Sequence, residues 1–167
     1  MPGASRPTGR SIIAVEVSVS ATVASPLARA EAERLARAVL RAEGVKNAML
    51  SVAFVGRRRI RSLNRRTFGR DRETDVIAFR MVEGTGARAH GGTVVGDVYV
   101  CAPVGVVQSR RFGATPREEV RRLLVHGMLH VLGYDHPEGR GRTESPMWRR
   151  QERLLGRLAK RRARSGR

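Results

Sequence analysis

"TPREEVRRLLVHGMLHVLGYDH", residues 115–136, opens as a helix and closes as something else. Thr115, Pro116 and Glu118 combine an N-cap, a first-turn proline and the reciprocal partner of a capping box, so the helix start is strongly specified. Val120, Leu123, Leu124 and Val131 recur at helical spacing, which predicts a buried helix over 115–132. His126 and His130 stand one turn apart on one side of it, where two imidazoles reach a common point. A straight helix cannot bring His136 there. Gly133 permits a left-handed turn that returns the chain across the helix end, so three of the four histidines in the chain converge.

Neutral imidazole is the commonest protein ligand for zinc, and three of them leave a fourth tetrahedral position for water, as in catalytic sites. A metal that lowers the pKa of its water to about 7 provides hydroxide without a strong protein base. With one cysteine, Cys101, the chain forms no intrachain disulfide and no cysteine cluster for zinc. The spacing H-x-x-x-H-x-x-G-x-x-H is also that of metzincin proteases, in which glutamate follows the first histidine as general base. Here Gly127 occupies that position and cannot accept a proton, which disfavours peptide hydrolysis.

Outward from this helix, strands and helices alternate. "SIIAVEVSVS" places Ile13, Val15, Val17 and Val19 on one face at period two, a half-buried strand. Ser25 and Pro26 read as N-cap and first residue of a helix that Gly44 stops, with Leu27, Leu35, Val39 and Ala42 as its inner stripe. "AMLSVAFV" is a second strand, "RRIRSLNRR" a short helix, "TDVIAFRM" a third strand and "VVGDVYVCA" a fourth. The glycine-rich "EGTGARAHGG" between the last two is a flexible hairpin connection. The expectation is one α+β (α/β) domain over residues 11–158. It has a small mixed sheet of about four strands packed by helices, and a metal site at the end of the central helix. Residues 1–10 and 159–167 are expected to be flexible basic tails.

The formal net charge of +18 on 167 residues attracts polyanions through release of their condensed counterions, so nucleic acid is the expected partner. Lysine stands only at Lys46 and Lys160, and arginine supplies the other basic residues, as GC-rich coding would also favour. No apolar run approaches the roughly 18 residues of a membrane span, and "MPGASRPTGR" lacks the apolar stretch of a secretory signal. The expected location is the cytoplasm, with no membrane partner and nothing that selects DNA. Aromatic residues make up 4% of the chain, so recognition of a strand is expected to be mainly electrostatic and steric.

"HGMLHVLGYDH" closely resembles the H-G-x-L-H-L-x-G-Y-D-H signature of the YbeY family of bacterial metal-dependent endoribonucleases. "LNRRTFGRDRETDVIAF" resembles the family's L-N-x-x-[YF]-R-x-x-D-x-x-T-D-V-L-S-F segment, and "VVGDVYVC" its L-G-D-I-x-I-S strand. "MWRRQERLL" resembles the closing helix, whose Met and Glu correspond to Met147 and Glu152. The resemblance runs from about Ile60 to Leu155. It implies a single-strand-specific ribonuclease of ribosomal RNA maturation, acting at the 3′ end of the small-subunit RNA and in ribosome quality control. It also implies one zinc ion per chain on His126, His130 and His136, and the small ribosomal subunit as partner. The family's functional arginine falls on Phe68, and Arg70, with Arg66 as the alternative, is the nearest guanidinium to take its place. A metal and an arginine together would balance the charge developing on a phosphodiester attacked by water or by the 2′-hydroxyl. The contrasting reading is a ribosome-associated, RNA-binding assembly factor whose metal is structural.

Other polar residues carry weaker expectations. Asp135 either orients a histidine or satisfies a local backbone group. Asp75 and Asp97 either support the metal ligands or, the favoured reading, specify the fold. Met147 lies beneath the metal pocket or, the favoured reading, in the core, Cys101 reads as a small core residue of its strand, and His90 as an exposed residue of the glycine-rich connection.

Overall fold

The computed structural model describes residues 15–81, 93–137, 139 and 141–165. The elements are β1 (Val15–Ala21), α1 (Arg29–Ala42), β2 (Ala48–Val55), α2 (Arg57–Phe68), β3 (Val76–Met81), β4 (Val94–Cys101), α3 (Ala102–Arg111), α4 (Pro116–Val131), a 3₁₀ turn (Arg142–Glu144) and α5 (Pro146–Ser165). The strands form one mixed sheet in the order β1-β2-β4-β3. β1, β2 and β4 are parallel, and β3 pairs antiparallel with β4. The register aligns Val17 with Leu50, Leu50 with Gly96, and Gly96 with Arg80.

The alternation of each strand divides the core in two. Leu50, Val52, Val98 and Val100 face α1, α4 and α5, joining Leu35, Val39, Leu124, Leu129 and Met147 in the main core. On the opposite face, Ile77 and Cys101 pack against Ile60 and Leu63 of α2 in a smaller cluster. Each fully buried leucine contributes about 1.5–3 kcal/mol relative to exposure, so the larger face dominates folding. Its centre is α4. The helix lies unusually close to the sheet because a Cβ on Gly127 would stand 2.6 Å from Val98 Cγ1 and 2.9 Å from Val76 Cγ2. Gly96 on β4 matches it from below, under Val131.

The α+β class, the single mixed sheet and the central helix agree with the sequence reading, and four differences have physical causes. First, α1 begins at Arg29 rather than Pro26, because the Ser25 hydroxyl accepts from the Leu27 N–H in a local turn and the helix is entered only after it. Its inner stripe is then Ala32, Leu35, Ala36, Val39 and Leu40, while Ala42 is exposed. Second, β3 starts at Val76, because the Asp75 carboxylate accepts from the Val76 N–H and the Gln108 amide, tying the strand to α3. Third, α3 has no counterpart among the expected elements. Val104, Gly105, Val106 and Val107 disfavour a helix locally, and packing on α4 supplies what propensity lacks. Fourth, α5 continues through Ser165, past the boundary at 158. Ala159, Lys160 and the arginines that follow are good helix formers with nothing to interrupt them. The expected tail at 1–10, the connection at 83–92 and His90 lie outside the described residues. Among the described residues no helix is long and apolar enough to cross a membrane.

Candidate metal centre

α4 starts as its sequence dictates. Thr115 Oγ1 accepts from the Glu118 N–H at 3.2 Å, and Glu118 Oε2 accepts from the Thr115 N–H at 2.8 Å, closing the capping box. The other end carries the site. The Gly133 N–H donates to the His130 carbonyl and the Tyr134 N–H to the Leu129 carbonyl, each at 2.9 Å, which is the Schellman closure. Gly133 sits at φ +86°, a conformation that favours glycine. The chain reverses there and brings His136 back over the helix end.

The three imidazoles meet through the same nitrogen. His130 Nε2 lies 3.1 Å and His136 Nε2 3.2 Å from His126 Nε2. Zinc–nitrogen bonds of about 2.0–2.1 Å place tetrahedral ligands roughly 3.3 Å apart, and with all three ligand atoms within 4.8 Å of one another the donor set can hold a single ion. The Nδ1 atoms of His126 and His136 meet acceptors. His126 Nδ1 donates to the Gln151 amide oxygen at 2.8 Å, and His136 Nδ1 to the Pro137 carbonyl at 2.9 Å. These bonds place the protons on Nδ1 and leave the Nε2 lone pairs pointing inward.

Burial reinforces that protonation state. His126 is 4% exposed, and loss of solvation pushes its imidazole down to about 4, with the Gln151 contact opposing and the nearby Arg142 adding to the fall. Burial also lowers His130, helped by neighbouring His136 and opposed by Asp135. Both rings are neutral at pH 7, the form that binds a metal.

Gln151 is itself fixed by a chain of contacts that begins on α4. Arg122 donates to Glu119 at 2.9 Å and to Glu152 at 3.1 Å, and the Gln151 amide nitrogen donates to Glu152 at 3.1 Å. With its NH₂ held by a carboxylate, Gln151 can only offer its carbonyl to His126. The sequence reading omits Gln151, although a signal exists. It is a polar residue on the apolar stripe Met147, Gln151, Leu154, and a buried glutamine on such a stripe requires partners.

The histidines line a cleft of about 750 Å³ whose walls carry Arg70, Arg72, Arg80 and Arg142. Arg70 therefore opens onto the site, whereas Arg66 does not line it. Phe68 stands at the rim, 54% exposed. Arg142 is a second residue the sequence reading omits. Its Nη2 comes within 3.3 Å of His126 Nε2.

The remaining candidates make no hydrogen bond to the three rings. Asp135 accepts from the His136 backbone N–H at 2.8 Å and is 3.9 Å from His130 Nδ1, so it serves the turn rather than hydrogen-bonding a histidine ring. Asp97 lies on the face of the sheet away from α4, opposite Ser51 and Phe79. Met147 is core, and Cys101 is buried in the second cluster, where loss of solvation pushes its thiol up. Gly127 faces the sheet, so a glutamate at that position has no room against Val98 and Val76.

Comparison with known proteins agrees with this geometry. The profile of the family described as Endoribonuclease YbeY matches residues 16–159. An Endoribonuclease YbeY from Aquifex aeolicus is 38% identical over 128 residues, covering 77% of this chain and 82% of its own. One from Pelotomaculum thermopropionicum is 40% identical, covering 75% and 82%, and one from Geobacillus kaustophilus is 37% identical, covering 75% and 83%. The solution structure of a Thermotoga maritima protein superposes with a TM-score of 0.54 at 24% identity, over 84% of this chain and 87% of that one, a likeness of fold.

Proposed function

Because the chain belongs to the Endoribonuclease YbeY family, we propose that it is a zinc-dependent endoribonuclease cutting single-stranded RNA. Its proposed task is maturation of the 3′ end of small-subunit ribosomal RNA and ribosome quality control, in the cytoplasm and in contact with the small subunit. The observation that carries this reading is the meeting of three inward-facing Nε2 atoms in a cleft walled by arginines. His126, His130 and His136 would hold the ion. When bound, zinc supplies Lewis acidity and a nucleophile available at neutral pH.

The residues of the chain account for the rest of the specificity. Guanidinium groups suit phosphate, and Arg70, Arg72 and Arg80 would track the backbone into the cleft. His126 is buried, so a flexible unpaired strand reaches it more readily than a stiff duplex. The close packing of Gly127 leaves no room for a glutamate at that position, which separates this site from those of peptidases carrying glutamate there.

The test is cleavage of end-labelled single-stranded RNA and of its duplex by protein of measured zinc content, alongside His130→Ala. The expected result is cleavage of the unpaired strand only, lost by about 1,000-fold or more in the variant while RNA binding persists. A folded, zinc-loaded protein that leaves unpaired RNA intact favours the assembly-factor reading instead. In that case His130→Ala would chiefly lower thermal stability. Analysis of the product ends separates the two nucleophiles, because attack by the 2′-hydroxyl leaves a cyclic phosphate and attack by water does not.

A further inference from the structure

Phe68 leaves the cleft without the arginine that the sequence resemblance places there, yet a guanidinium stands beside the histidines. Arg142 reaches in from the 3₁₀ turn and sets Nη2 3.3 Å from His126 Nε2, the nitrogen on which the other two rings converge. Its Nε is buried and makes no hydrogen bond. Among the described residues no carboxylate pairs with it.

Guanidinium groups suit phosphate, and Arg142 lines the same cleft as the histidines. A metal ion on the histidines and the Arg142 cation would repel each other unless an anion lay between them. We propose that Arg142 binds the scissile phosphodiester through its guanidinium and is the catalytic arginine of this chain in place of the residue missing at Phe68. The inference rests on the endoribonuclease reading of the same site.

The backbone is arranged to hold Arg142 in place. Ser145 Oγ donates to the Arg142 carbonyl at 2.7 Å and accepts from the Trp148 N–H at 3.1 Å, fastening the 3₁₀ turn to the first turn of α5. Met147 then anchors that turn in the main core. The turn that carries Arg142 is therefore fixed before substrate arrives, which limits how far its guanidinium must move to meet a charged transition state.

The test titrates inorganic phosphate calorimetrically into zinc-loaded wild type, Arg142→Ala, Arg142→Lys and, as a surface-charge control, Arg41→Ala. Zinc content and cleavage of single-stranded RNA are measured on the same preparations. Arg142→Ala is expected to weaken phosphate binding by about tenfold or more and to slow cleavage by about 100-fold, with zinc content unchanged. Arg142→Lys should recover part of the phosphate affinity, added guanidinium should recover part of the cleavage by the alanine variant, and Arg41→Ala should change neither quantity. Phosphate affinity that is unchanged in Arg142→Ala overturns the proposal, and so does loss of zinc from both Arg142 variants, which would make the residue structural. A wild type that binds phosphate through Arg142 but never cuts RNA retains the anion site and removes the nuclease reading.

Discussion

The histidine cluster is built from two sides that obey different rules. On the α4 side everything is local: two rings one helical turn apart, a Schellman closure at Gly133, and a third ring three residues later. On the α5 side everything is long-range. Gln151 and Arg142 reach His126 across 25 and 16 residues, and Gln151 is aimed by a contact chain that returns to Glu119 on α4. The local side makes the rings converge. The distant side decides which nitrogen His126 presents and what charge stands beside it.

That division can be broken from the α5 side first. Gln151→Met keeps the volume but removes the acceptor for His126 Nδ1, and zinc affinity measured against a competing chelator dye should fall by about 10–100-fold. Gln151→Glu, which restores an acceptor oxygen, should recover most of it. Unchanged affinity in the methionine variant would show that the α4 side suffices alone.

The second test is pH. The His126 imidazole sits at about 4 in the folded protein and near 6.5 in the unfolded chain, so between these values the unfolded state binds the extra proton. Stability is therefore full above about 6.5 and falls as pH drops toward 4, by about 3 kcal/mol in total from this group. Thermal unfolding of chelator-treated protein between pH 7 and pH 4 should follow that slope. A midpoint independent of pH across this window would mean that the ring is not buried as described.

The smallest expected effect belongs to the α4 side. Gly127→Ala adds a methyl group against two rigid valines and should lower stability by about 1–3 kcal/mol in denaturant unfolding, after allowing for the better helix propensity of alanine. A more stable variant would show that α4 can move away from the sheet at no cost.

Much of the fold was legible because its signals are short-range. The Thr115 capping box, the strand at 48–55 and the glycine stops at Gly44 and Gly133 each act within a few residues, and each stands where the pattern places it, while the strand read over 94–102 ends one residue sooner, at Cys101. α3 was illegible because Val104, Gly105, Val106 and Val107 contradict helix propensity, and only the surface of α4 overrides them. Gly127 was legible only in part. Its spacing marks it as the missing base of a protease, whereas its position shows a contact surface for Val98 and Val76.

The sequence by itself determined the three converging histidines, the central helix and the mixed sheet, because capping, periodicity and a left-handed glycine are properties of neighbouring residues. Only the tertiary structure decided which tautomer His126 adopts, how far its proton affinity falls, and that Arg142 rather than a residue of α2 stands nearest the ligands. Those properties depend on solvent exclusion and on partners many residues away. Burial and long-range contact are outcomes of folding the whole chain, and no local stretch contains them.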